Sequence, residues 1–350
     1  MELKAESAVN PASRRLNLNI WIPSICFALL ALAFLPVNAV AQNCRTASEL
    51  EDATRTALTA AGQRYFDLAA KGDVASLRQN ATPSLASDFS AVEARVKDRQ
   101  DDLAGAHGLS PSVFLLEAAG KDPVPHAEFL CGVFGKNGQT PGSAAFYFDN
   151  LPPGKYAVVL IDANSPKMRT HFAAVLLQVG ADWKLADLYL GPAQTAGHDS
   201  DWFTTRAGEY KAKGQAHNAW LFYLQARSLI SPLSFMSTLA TDRLYADLQS
   251  AQPTDVPVNG KTTDLAAGTT TFKLTALFPL AVGDDLDLVV KYQVADVSNT
   301  NQAYQTNVAV IKALVAKCPE LRDAFAGVVA RAVDPSGRDY GTLLAMKDIK

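Results

Sequence analysis

The chain has 350 residues, 48% apolar and 19% charged, which is the balance of a globular protein of two or three domains and excludes large-scale disorder. A formal net charge of −3 offers no basic surface for a nucleic acid, so none is expected as a partner. Composition excludes these classes and leaves the activity open.

The amino terminus says more. Lys4, Arg14 and Arg15 precede an apolar run from Ile20 to Leu35, and Pro36 is followed by an Ala39-Val-Ala41 end. That order of basic, apolar and small-residue segments is a secretory signal, so residues 1–41 are expected to be cleaved and the protein exported, periplasmic or extracellular. The alternative is an uncleaved membrane anchor, the one case in which a membrane is expected as a partner. Pro23 interrupts the run, which falls short of the ~20 apolar residues of a spanning helix. Cleavage removes Cys26 and leaves Cys44, Cys131 and Cys318, an odd set. The expected bridge in an oxidising compartment is Cys44–Cys131, with Cys318 a buried free thiol. No Cys-x-x-Cys occurs, so neither a redox motif nor a zinc-ligand spacing is present in sequence.

Taken in order, Ser48 to Gln79 is helical, with Ser48 and Glu51 as an expected capping box and Leu58, Ala61, Tyr65, Leu68 and Ala69 on one apolar face. Gly72-Asp73 breaks it, and Thr82-Pro83 ends the second helix. An amphipathic helix follows from Phe89 to Leu103, its charge run Lys97-Asp-Arg-Gln-Asp-Asp102 read as a solvated face. Gly105 to Val124, rich in Gly and Pro, reads as a linker. Strand signals start at Ala127 and culminate in the long apolar stretch Lys155 to Gly191, broken only by turns. Period-2 alternation puts Trp183, Leu185, Asp187 and Tyr189 on one face of its last strand.

Helices return from Asp201 to Gln249. A polar linker spans 252–269. Strand signals at Thr270–Leu277 and Leu286–Ala295, a helix at Asn301–Lys317 and strands at Ala324–Val333 and Tyr340–Lys347 give a small ββαββ domain. The expected organisation is therefore a signal over 1–41, an α+β domain over 42–195, a helical segment over 196–251, the linker, and a small α+β domain over 270–350.

Two stretches carry family resemblances. GQRYFDLAAKGDVASLRQNATP resembles the first helix pair of the nuclear-transport-factor-2-like (SnoaL-like) superfamily, and HFAAVLLQVGADWKLADLYL resembles its closing hairpin; together they span about residues 48–191. The resemblance implies a cone-shaped antiparallel sheet with covering helices around an apolar cavity. It also implies, for catalytic members, a Tyr and carboxylates in that cavity, where a neutral acid donates to an oxyanion and a carboxylate takes the proton. The residues here that fit such roles are Tyr65, His171 and Asp187, with Tyr189 beside them; otherwise Asp187 is solvated or paired with a basic neighbour such as Arg64. Residues 201–232 resemble one tetratricopeptide repeat, with Ala207, Tyr210, Gly214, Ala219, Tyr223 and Ala226 at its spacing.

No phosphate-binding glycine loop, His-Glu-x-x-His or Gly-x-Ser-x-Gly occurs, and the five histidines are scattered, so no cofactor or metal is expected. Two readings follow. The first is an exported, non-catalytic binding or assembly module whose partner is another protein or a small apolar ligand. The second is a cavity enzyme of isomerase or cyclase type acting on a small apolar molecule.

Overall fold

The computed structural model of the chain describes residues 42–136 and 138–350, so the expected signal at 1–41 lies outside the described residues, as does half of the expected Asn137-Gly138 turn. The fold is α+β, built on antiparallel sheets. After a strand, Gln42–Thr46, come five helices: α1 (Asp52–Ala70), α2 (Val74–Gln79), α3 (Pro83–Ser87), α4 (Ser90–Asp98) and α5 (Gln100–Leu103). The capping box sits earlier than expected. Thr46, not Ser48, is the cap, and Glu49 reaches back to the Thr46 amide at 2.7 Å ahead of a single 3₁₀ turn. The register moved because Ser48 lies inside that turn.

The main sheet runs in the order Gln42–Thr46, Ser112–Ala118, Gly154–Asn164, Arg169–Val179, Asp182–Pro192, with every neighbouring pair antiparallel. Its second strand lies within the stretch expected as a linker. The run Val113-Phe-Leu-Leu116 satisfies its amides in the middle of a sheet, and the flanking Gly and Pro only bound it. The central stretch is apolar at nearly every position because both faces are covered. Ala157, Val159 and Ile161 pack under the helices, while Tyr156 and Val158 face a second sheet. α1 lies so close that a β-carbon at Gly62 would sit 2.3 Å from a methyl of Val159. Leu58, Tyr65, Phe66, Leu77 and Phe172 fill the space between helices and sheet completely, all at most 1% exposed.

The second sheet pairs Val124–Cys131 with Ala144–Leu151 and then with the short strand Met236–Thr238. Cys44 and Cys131 form the expected disulfide, tying the first strand of the main sheet to the second sheet across 87 residues. Cys318 is free and buried.

Beyond the sheets come α6 (Ser200–Ala212) and α7 (Ala216–Ile230), an antiparallel hairpin, then α8 (Leu239–Ala251). Asp199 caps α6 by accepting from the Trp202 amide at 3.1 Å. The carboxy-terminal sheet runs Thr263–Ala267, Thr270–Val282, Asp285–Gln293, Gly327–Val333, Asp339–Ala345. The helix α9 (Thr300–Lys317) crosses between its third and fourth strands, which pair in parallel. This corrects the sequence reading twice. The order is βββαββ rather than ββαββ, and the linker expected over 252–269 gives up residues 263–267 to an edge strand paired with Thr270–Leu274. One core joins the helical hairpin to this sheet, from Phe203 and Trp220 through to Leu288 and Val328. Among the described residues no helix is long and apolar enough to cross a membrane.

Candidate functional site

The three residues singled out from sequence fall in three different environments. Tyr65, on α1, is fully buried among the helix-side core. Its hydroxyl donates to the backbone carbonyls of Trp183 at 2.9 Å and Asn80 at 3.0 Å, and burial pushes its ionisation upward. It clamps the helical layer to the end of the sheet. Arg64, the neighbour expected as a partner for Asp187, instead covers the Tyr65 ring at 4.7 Å.

His171 sits in the strand Arg169–Val179, directly across from Asp162 in the register. Its Nδ1 faces the Asp162 carboxylate at 2.6 Å and its Nε2 faces the Leu229 carbonyl at 2.7 Å. The hydrogen bond from His171 holds the Asp162 carboxyl below the usual carboxylate range. With both ring nitrogens occupied, His171 ties the main sheet to the end of α7 and has no free nitrogen for a substrate proton.

Asp187 lines a different crevice from the one that His171 and Asp162 line. The strand Asp182–Pro192 carries a β-bulge: Leu185 pairs with Leu176 and Asp187 with Val175, leaving Ala186 as the extra residue. The bulge overturns the expected alternation. Leu185 and Leu188 both pack under the helices, whereas Ala186 and Tyr189 turn to the opposite side. Asp187 Oδ1 is held by the guanidinium of Arg95 at 2.9 Å and by the Leu188 amide at 2.8 Å, and Oδ2 accepts from the Tyr189 hydroxyl at 2.6 Å. Arg95 comes from α4 and also donates to the Leu188 carbonyl at 2.8 Å while lying 4.8 Å from the Tyr189 ring centre. Burial, then the carboxylate it donates to, raise the Tyr189 phenol far above its ordinary value.

Of these residues Asp187 and Tyr189 form one wall of a crevice of about 470 Å³ on the face of the main sheet away from the helices. Tyr156, Val175, Leu177 and Ala186 make its floor, and Phe148, Leu151 and Phe235 the facing side. The rings of Phe148 and Phe235 lie 4.9 Å apart, and Tyr189 packs on Phe235 at 5.4 Å. Neither His nor Cys lines it, so among the described residues its wall presents no donor set for a transition metal. A wider cleft of about 790 Å³ lies elsewhere, between the end of the main sheet, α7 and the turn of the Thr270–Gln293 hairpin. The two cations on it, Arg99 and Lys167, both pair with Asp102, at 3.1 and 3.4 Å.

Sequence reasoning missed Arg95, which stands two residues before the charged run 97–102 that was read as solvated. Its position three residues after the buried Val92, on the helix flank beside the core, was the available signal. No known family's model matches the chain, and comparisons with curated proteins and with solved structures returned no match.

Proposed function

We propose that the protein is an exported, non-catalytic binding module that takes a small apolar ligand in the crevice bounded by Asp187, Tyr189 and Phe235. The observation carrying this reading is the closed set Arg95–Asp187–Tyr189. The carboxylate at the crevice wall is ion-paired to a guanidinium and also accepts from an amide and a phenol, so its charge is balanced and three of its roughly four acceptor sites are taken. A proton-transfer enzyme needs an acid or base free to reach its substrate. Tyr65 and His171 are held by backbone carbonyls and Asp162, and neither lines the crevice. What remains is an apolar hollow with a polar rim, within the ~300–1,000 Å³ span of small-molecule sites. Export is supported by the disulfide between Cys44 and Cys131, since such bonds persist in oxidising compartments. The run of helices followed by three long antiparallel strands supports the nuclear-transport-factor-2-like plan for residues 48–191.

The test uses an environment-sensitive apolar fluorophore as the probe. Saturable one-to-one binding is expected, weakened at least tenfold in Ala186→Trp, which places an indole in the crevice. Binding of equal strength in the parent and in a folded Ala186→Trp protein would remove the crevice as the site.

A further inference from the structure

Far from that crevice, three elements bring together a set of side chains that no sequence spacing announces. His217 lies in the first turn of α7, Cys318 closes α9, and Asp255 sits in the segment after α8. One ring nitrogen of His217, one carboxylate oxygen of Asp255 and the Cys318 sulfur all lie within 4.8 Å of one another. Nε2 stands 3.6 Å from Sγ and 2.9 Å from Oδ1. The other ring nitrogen, Nδ1, meets Glu320 Oε1 at 2.7 Å.

We infer that His217, Asp255 and Cys318 form a binding site for a zinc-class divalent cation, with the fourth coordination position left to water. Imidazole, thiolate and carboxylate together are the donor types a borderline-soft cation selects, and calcium or magnesium would not choose a thiol. The sulfur–nitrogen spacing fits: Zn–S near 2.3 Å and Zn–N near 2.05 Å at a tetrahedral angle put the two atoms about 3.5 Å apart. The same geometry asks for about 3.3 Å between nitrogen and oxygen, a few tenths of an ångström beyond the separation from Asp255. Asp255 has the freedom to supply it, as its side chain is 35% exposed. Glu320 plays the part of the carboxylate that commonly holds the far nitrogen of a metal-bound histidine, fixing the ring so that Nε2 points at the site. Lys317 Nζ binds the remaining Asp255 oxygen at 2.8 Å, which leaves Oδ1 as a single donor. One thiolate and one carboxylate balance a divalent charge with the imidazole neutral. Cys318 is 3% exposed, shielded from bulk oxidants, while the His217 and Asp255 edge stays open for entry.

The test is a titration of the chelator-stripped full chain with Co²⁺, whose thiolate complexes have a charge-transfer absorption that nitrogen and oxygen sites lack. One equivalent is expected to bind with that absorption and to be displaced by Zn²⁺. Cys318→Ser should abolish the band, which also separates this thiol from Cys26. Asp255→Asn should weaken zinc at least tenfold, and Glu320→Gln about 10–100-fold, the usual loss for a residue behind the ligands. Absence of the charge-transfer band in the folded parent overturns the inference, as does zinc affinity unchanged in Asp255→Asn. These two readings do not depend on whether Cys318→Ser folds, and none of them bears on the crevice.

Discussion

If Arg95 neutralises Asp187, the two must be energetically coupled, and the size of that coupling is set by how wet the pair is. Their side chains are 36% and 32% exposed and meet at 2.9 Å. A fully exposed pair is worth ~0.2–1 kcal/mol, and partial burial with a shared hydrogen-bond network places this one near the top of that span, about 1 kcal/mol. Arg95→Met also gives up the bond to the Leu188 carbonyl and the contact with Tyr189, so alone it should cost about 1–2 kcal/mol. Asp187→Asn keeps the shape and the acceptor for the Leu188 amide, and should cost about 1 kcal/mol. The assay is urea unfolding of the parent, both single variants and the double variant, with the coupling taken as the departure from additivity. Coupling below about 0.3 kcal/mol, within ordinary additivity error, would mean that the ion pair is not formed in solution. Asp187 would then be a free carboxylate on a crevice wall, and the argument for a non-catalytic site would fall with it.

Three further outcomes follow from the packing. Phe172→Ala empties a fully buried position whose ring meets Phe66 edge-on at 5.6 Å, and should cost ~3–5 kcal/mol, read as a large fall in the unfolding midpoint. Tyr65→Phe keeps the ring and loses one hydroxyl shared by two carbonyls; Asn80 O still accepts from the Leu185 amide, so the loss should be only about 1 kcal/mol, and a loss as large as that of Phe172→Ala would mean the clamp matters more than the core. Asp287 is 3% exposed, and burial, then the neighbouring Asp285, lift its carboxyl above the ordinary value. A raised carboxyl gives its stability in the protonated state, below the ordinary value, and loses it as pH rises through the raised one. Asp287→Asn should therefore melt higher than the parent at neutral pH, with the gain vanishing below about pH 4; an equal gain at both pH values would exclude ionisation as its cause.

How much of this was legible in the chain follows from the range of the forces involved. The longer helices were readable from a 3.6-residue apolar period, and the three long strands from apolar runs of eleven residues each bounded by turn formers. Ser112–Ala118 and Thr263–Ala267 were not, being only seven and five residues long and set among turn formers. Their strand character comes from partners that supply the hydrogen bonds, a tertiary effect. The bulge at Ala186 defeated a correct periodic argument. Alternation holds only while the ladder is in register, and one extra residue sends Leu188 to the face that Asp187 was assigned.

The residues that decide function were legible in type but not in company. Asp187 was singled out as the only charge on its strand face, and its partner lies 92 residues earlier, on a helix with no local sign that it reaches the sheet. The same holds for His217, Asp255 and Cys318. Spacing reveals a metal site only where ligands come in pairs close along the chain, as in a zinc finger or a His-Glu-x-x-His helix. Here the histidine is 38 residues from the aspartate and 101 from the cysteine. What joins them is the core shared by the helical hairpin and the carboxy-terminal sheet, which seats the start of α7 against the 3₁₀ turn Pro319–Asp323 that follows α9. Such a cluster is a consequence of the fold and inherits its rigidity. The disulfide near the amino terminus and the His–Asp–Cys cluster thus stand at separate joints, each where two layers meet without a continuous sheet between them. At such joints few backbone hydrogen bonds cross, so side-chain chemistry has to hold the layers in place.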